Sequence, residues 1–260
     1  CLKSIIDQDF SKKDYEVIVI DNKSTDGSIE IIKKFKKIKL IRSKENFGFS
    51  KGNNIGIKHS KGDYVALINN DVTIDKHWLK EILKVIKQRK DVGVVGCKIK
   101  YPDNKIWFAG GKMYFPGFAR HIKLDKEKEV DYVSFAAVLI KKEIGEYLDE
   151  TLFMYGEDSE FCKRVLMKGL KVVYTPKPLS YHHINEERIS ENEEYFIQRN
   201  RSYYYTKFYN IYGKFAYLIG DLILFFNIFA VYRIIKNPRR ILFTKEIFKA
   251  RLDSIPLMLK

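Results

Sequence analysis

Cysteine is scarce in this chain. Its three thiols, Cys1, Cys97 and Cys162, are odd in number, far apart in 260 residues and form no CxxC pair. That is not a disulfide framework; it reads as reduced thiols in a cytosolic setting. There is no internal repeat, no low-complexity tract and no recognisable signal peptide. A P-loop and a GxGxxG dinucleotide motif are also missing. The opening "CLKSIIDQDF" carries no methionine, and the expectation is that something upstream is missing. Acidic residues are the minority charge, 33 Asp+Glu against 48 Lys+Arg.

The resulting net charge of +15 favours anionic partners: nucleic acid, acidic lipid surfaces or phosphorylated substrates. Lysine is spread along the chain rather than blocked, so a solvated basic surface is the plainer reading. Hydrophobic residues at 45% supply a sizeable core.

Short apolar runs alternate with helical periodicity. "YEVIVID" (15–21) predicts a strand buried on both faces, and a helix follows at Ile29, Ile31, Ile32 and Phe35. "IKLIR" (38–42) predicts a strand, 46–63 a glycine-rich loop leading into a short helix, and "YVALI" (64–68) a strand. Residues 78–90 read as helix and 92–99 as strand. The stretch 101–150 is less regular, with loops or a hairpin and then a strand over 130–142. Residues 156–169 read as a helix with an acidic start and Gly169 as its stop, and 170–176 as a closing strand. The pattern is an α/β sandwich with a mainly parallel sheet.

Beyond about 190 the chain is helical and rich in Tyr, Phe and Arg. Its run "FAYLIGDLILFFNIFAVY" (215–232), 18 residues, is near the lower limit for a membrane span. Asp221 and Asn227 weigh against clean spanning, while Arg233, Lys236, Arg239 and Arg240 suit anionic headgroups. A membrane-embedded or interfacial segment and a buried helix of the domain both stay open.

Ligands of open α/β sheets bind where strands end. Asp21 and Asn22 follow one strand, Asn69, Asn70 and Asp71 follow another, and Asn46 and Gly48 open a loop. Each alone has a plain reading as a cap or turn. Their joint occurrence with Glu157 and Asp158 is harder to dismiss.

In order, "VIVIDNKSTDGS", "NFGFSKGNNIGI", "GDYVALINNDV" and "FMYGEDSEFCKRVLMKGLKVVYTPKPLSYHH" resemble the motifs of family-2 glycosyltransferases with the GT-A fold. The likeness covers roughly residues 1–200 and is nearest to the rhamnosyltransferase-like branch of cell-surface polysaccharide assembly. It implies a GT-A domain over 1–210 whose first strand is missing from this chain, with a nucleotide-sugar half (1–100) and an acceptor half (101–210); the apolar run and its basic flank make 211–260 a separate helical, membrane-associated region. The family motif Asp-x-Asp reads Asn69-Asn70-Asp71 here. Asp71 matches the second acid and becomes the ligand of Mg²⁺ or Mn²⁺, with His182 or His183 as the helper that holds metal or diphosphate. Asp21 matches the acid that contacts base or ribose. Asn22, Ser24 and Asp26 line the same loop, and Asn46, Gly48, Asn53, Asn54, Asn69 and Asn70 complete the donor side. Asp158 matches the base of an inverting transfer, with Glu157 supporting the acceptor.

The resemblance implies an enzyme of hexosyl or rhamnosyl transfer. Its partners would be a UDP-, dTDP- or GDP-sugar donor, a lipid-linked or glycan acceptor and an anionic membrane surface, without nucleic acid. Its place would be cytoplasmic, at the inner face of the cell membrane. Two rivals remain. A sugar-phosphate nucleotidyltransferase would want a glycine-rich signature with Arg and Lys near its amino end, and a nucleic-acid binder would want a recognisable motif. The sequence displays neither.

Overall fold

The computed structural model describes residues 1–114, 118–184, 191–210, 212–214, 216–217, 219–220, 249–254 and 256. Helix α1 (Leu2–Ile6) leads to β1 (Val17–Asp21), α2 (Ser28–Ile32) and β2 (Ile38–Arg42). Helix α3 (Gly48–His59), β3 (Tyr64–Ile68), β4 (Val72–Ile74), α4 (Trp78–Gln88) and β5 (Val92–Lys100) follow. Short strands β6 (Ile106–Phe108), β7 (Gly111–Tyr114), β8 (Phe118–His121) and β9 (Lys128–Glu129) precede β10 (Ala137–Lys141). Helix α5 (Glu157–Met167), β11 (Lys171–His182) and α6 (Glu191–Phe208) complete the order.

The main sheet runs β3–β10–β5–β11–β4, with β6 beside β5 and β9 beside β11. The α/β class is as expected, but the sheet is mixed rather than mainly parallel. Only β5 and β11 pair parallel within it; β10 is antiparallel to both β3 and β5, and β4 to β11. The cause is local. After β5 the chain turns back at once, with the Tyr101 N–H donating to Lys105 O at 2.9 Å and Asn104 in the left-handed region (φ 69°). A tight turn gives antiparallel pairing, whereas a parallel return needs a dozen or more residues of crossover.

Strand β1 pairs only with β2 among the described residues, in parallel from Val17↔Ile38 to Asp21↔Arg42, and Val17–Ile20 are half-buried rather than covered on both faces. The segment 46–63 holds a 12-residue helix in place of a loop and short helix. The strand expected over 130–142 is confined to 137–141. The core gathers on β5, β10, β11 and α4, where Trp78, Ile82 and Ile86 recur at helical spacing with at most 1% exposure. Each such side chain contributes about 1.5–3 kcal/mol.

Pairing directions place the carboxyl ends of β3, β5 and β11 on one edge, since β3 and β5 are both antiparallel to β10. Helix α5 returns from that edge: a Cβ added at Gly93, near the start of β5, would touch Val165 near the far end of α5 and Leu170 just beyond it. The start of α5 therefore sits at the ligand-binding edge.

The chain divides into two compact units, residues 1–113 with 119–185, and residues 114–118 with 186–260. The division falls near 185, earlier than the expected 210, because α6 packs within the second unit. There Tyr205 stacks on Tyr217 (centroids 4.4 Å, 7°), and the Tyr195 hydroxyl donates to Asp253 Oδ2 at 2.6 Å. Most of the apolar run 215–232 lies outside the described residues. Among the described residues no helix is long and apolar enough to cross a membrane.

Candidate active site

At the end of β1 the Asp21 side chain is buried. Its Oδ1 accepts the Ser24 N–H at 3.0 Å and its Oδ2 lies 3.7 Å from Arg42 Nε. The intervening Lys23 is held at φ 66°, a left-handed geometry uncommon for a residue with a Cβ. Asn22 Nδ2 donates to Asn46 Oδ1 and to Gly48 O, both at 3.0 Å, and Asn22 Oδ1 accepts the Phe47 N–H. Asn46 Oδ1 also accepts the Gly48 N–H. Asp21, Asn22, Asn46 and Gly48 thus form one corner. Asp26 does not join it. It is exposed, accepts the Ser28 N–H and hydroxyl (3.1 and 2.6 Å), and is held below the ordinary carboxylate range by them. Its role is to start α2, and Ser24 contributes only its backbone N–H.

Two asparagines expected on the donor side are turned elsewhere. Asn53 Nδ2 donates to Phe49 O in its own helix. Asn54 is 2% exposed, donates to Leu148 O and Glu150 Oε1 (2.9 and 3.0 Å) and accepts the Leu148 N–H at 2.9 Å. Helical geometry explains this, since residue 54 lies on the face of α3 packed inward. Gly48 has φ 74°, and a Cβ there would fall 2.3 Å from Phe153 O, which accepts the Phe49 N–H at 2.6 Å. These residues fasten the loop 148–156 that delivers the acidic pair.

At the β3–β4 turn Asn69 works through its backbone: its N–H donates to Ala136 O and its carbonyl accepts from Val72 N and Cys1 Sγ. Asn70 is exposed. Asp71 Oδ1 approaches His182 Nε2 at 3.2 Å, while Asp71 O accepts the His183 N–H at 2.8 Å. Burial raises the Asp71 carboxyl, but His182 beside it outweighs that and holds it below its ordinary value. Adjacent strand residues face opposite ways, so only one histidine meets Asp71. The exposed His183 pairs its Nε2 with Thr73 Oγ1 at 2.9 Å and acts on Asp71's carboxylate only through its charge, less than His182 does.

His182 is 6% exposed and lies edge-to-face with Trp107, centroids 4.4 Å apart at 88°. Asp71 Oδ1 is buried without a hydrogen-bond partner, since its 3.2 Å approach to His182 Nε2 is misaligned, and His182 Nδ1, the ring's other nitrogen, is buried without one as well. The unpartnered Asp71 Oδ1, with the imidazole Nε2 facing it, fits a divalent cation that completes its shell with ligand oxygens. Among the described residues no group of three or more His, Cys, Asp or Glu could enclose a metal by itself.

Tyr155 (φ 66°) and Gly156 (φ 87°) turn the chain into α5, whose first residues are the acidic pair. Glu157 is buried and its Oε2 has no partner; Asp158 is half-buried and its Oδ1 accepts the Ser159 N–H at 2.6 Å. Burial pushes both carboxyls up, and for Glu157 the Asp158 charge adds to it. Two carboxyls this close resist joint ionisation, leaving Glu157 the better proton holder and Asp158 the better acceptor. Burial, and then the Asp158 charge, push the Tyr132 hydroxyl up as well. The nearby Glu160 is structural: both its oxygens bind Arg164 (2.7 and 2.9 Å), which also reaches Glu146 and Tyr147 O. Sequence reasoning missed Trp107 and the clamping role of Asn54; nothing in "IWFAGG" or "KGNNIG" signals either.

The family model for glycosyl transferase family 2 matches residues 1–148. The O-antigen biosynthesis protein RfbC of Myxococcus xanthus is 26% identical over 72% of this chain and 16% of its own length. A dolichyl N-acetyl-alpha-D-glucosaminyl phosphate 3-beta-D-2,3-diacetamido-2,3-dideoxy-beta-D-glucuronosyltransferase of Methanococcus voltae is 24% identical over 95% of this chain and 84% of that one. The crystal structure of GalNAc-T7 with UDP, GalNAc and Mn²⁺ superposes with a TM-score of 0.67 at 15% identity, over 81% of this chain and 45% of that one. The chain spans between 16% and 29% of the length of the first three curated relatives it matches. With the GT-A architecture shared and more than half its length matched by the family model, the chain belongs to glycosyl transferase family 2.

Proposed function

We propose that this chain catalyses inverting transfer of a sugar from a nucleotide-sugar donor to an acceptor hydroxyl in glycan assembly. The observation that carries the reading is the pairing, at one sheet edge, of the Asp71 carboxylate beside His182, pushed towards its charged form, with an acid pair pushed the other way, the buried Glu157 and the half-buried Asp158.

Asp71 and His182 would hold a divalent cation, Mg²⁺ or Mn²⁺, which when bound neutralises charge on the diphosphate leaving group. Asp21, with Asn22 and Asn46 beside it, faces the nucleoside. Asp158 accepts the acceptor hydroxyl proton as that oxygen bonds to the anomeric carbon and the carbon–diphosphate bond breaks on the opposite face. Glu157, holding its proton, keeps negative charge off the pair until then. In other proteins of this fold a nucleotide and Mn²⁺ are bound together, which supports the metal requirement. The names of the relatives support a glycan or lipid-linked acceptor.

The +15 charge and the basic residues 233–240 support a seat on the anionic cytoplasmic face of the membrane. The test of the function is a thermal-shift screen of UDP-, dTDP- and GDP-sugars with Mn²⁺, because a ligand of the native state raises its stability. One nucleotide class should raise Tm only with metal present. No shift from any of them would remove the donor site.

A further inference from the structure

We infer that Trp107 is a saccharide platform, its indole offered to a pyranose ring beside the Asp71–His182 corner; this rests on the proposed sugar transfer. Strand β6 is the returning arm of the hairpin from β5, pairing Lys100↔Ile106 and Ile99↔Phe108, with a register shift between them. On its other side β5 pairs with β11, Ile99↔Ser180 and Lys100↔Tyr181, just short of His182. The irregular register lets Trp107 reach across the end of β5 to His182, where the rings meet at 4.4 Å and 88°. His121 flanks the indole on another side at 5.8 Å, and its Nδ1 lies 3.2 Å from Trp107 O.

Trp107 is therefore fixed by two imidazoles and by its strand, yet it is only half-buried at the edge where strands end. A buried indole would be core, and a loosely held one would be noise. This one is rigid, partly open and laid over the residue that meets Asp71. The C–H face of a pyranose is apolar and flat enough to cover such a ring, while its hydroxyls stay free for polar partners. The other tryptophan, Trp78, is fully buried and bonds Cys97 Sγ through Nε1 at 3.2 Å. It serves the core, so solvent access to indole in the described structure reports on Trp107.

That contrast supplies the experiment. The full chain with Mn²⁺ is titrated with UDP, GDP or dTDP, then with the matching nucleotide-sugars, and separately with methyl pyranosides of glucose, galactose, mannose, rhamnose and N-acetylglucosamine. Tryptophan emission and acrylamide quenching are read throughout. At least one sugar should protect indole from quenching by roughly twofold or more, and Trp107→Phe should abolish the protection while nucleotide affinity stays within about twofold. Trp107→Ala should weaken the sugar by roughly tenfold, as expected for removal of an aromatic anchor. Protection by a nucleotide-sugar beyond its bare nucleotide assigns the ring to the donor; protection by a pyranoside in the presence of nucleotide assigns it to the acceptor. No protection by any sugar, or protection that survives Trp107→Phe, would overturn the platform. Calorimetric binding of nucleotide with Mn²⁺ separates that failure from failure of the transferase reading itself.

Discussion

Asp71 and Asp158 carry the same side chain at the same edge of one sheet, in opposite electrostatic company. Asp71 faces an imidazole across 3.2 Å and is held low despite partial burial. Asp158 sits beside a second carboxyl and is pushed up by burial, with hydrogen bonds from the Ser159 N–H and from its own backbone opposing. A carboxylate kept charged at every working pH is suited to a cation. One poised nearer neutrality is suited to taking a proton. Neither property belongs to aspartate as such; each comes from what the fold sets beside it.

The sharpest way to break this contrast is Asp158→Asn. Turnover should fall by roughly 10²–10⁴-fold, the usual worth of a general base, with donor affinity nearly unchanged. Near-normal kcat on a working acceptor would remove Asp158 from the base role.

Asn54→Ala should act on the same pair from a distance. It leaves the Leu148 N–H and carbonyl without their partner, a cost of about 1–3 kcal/mol for a buried group. A lowered urea midpoint together with a drop in kcat is expected, because loop 148–156 delivers Glu157. An unchanged midpoint would show that the clamp contributes little.

Glu157→Gln is the mildest change and carries a sign. A carboxyl raised in the folded state favours folding at acid pH and loses that contribution as pH climbs from its unfolded value towards its folded one. The wild type therefore carries most of the penalty by pH 8, close to the folded value of about 8, where the Gln variant escapes it. Melting at pH 8 should rise by roughly 2–4 °C for each kcal/mol relieved, with little difference at pH 4. A variant that melts lower at pH 8 would show that the Glu157 carboxylate is better satisfied than its unpartnered Oε2 implies.

Much of this was legible beforehand, and unevenly so. "IKLIR" and "YVALI" form strands over the very residues expected, since period and composition decide such short buried runs. The mixed character of the sheet was not legible, because β10 enters between β3 and β5 and those partners lie far away in sequence. Strand alternation separates His182 from His183, but only the pairing with β4 says which one meets Asp71. Asn54 looked like its neighbours in a polar, glycine-rich stretch, and only the packing of α3 shows it turned inward. Trp107 gave no local signal at all, because its meaning lies in a contact 75 residues away along the chain.

The division of labour is tested most directly by calorimetric titration of the nucleotide-sugar that the screen selects, with Mn²⁺ and with EDTA, on the wild type, Asp71→Asn and Asp158→Asn. The account predicts that Mn²⁺ strengthens binding to the wild type and to Asp158→Asn alike, and that Asp71→Asn loses most of this increment. Equal affinity with and without EDTA in the wild type, or an undiminished Mn²⁺ increment in Asp71→Asn, would contradict it.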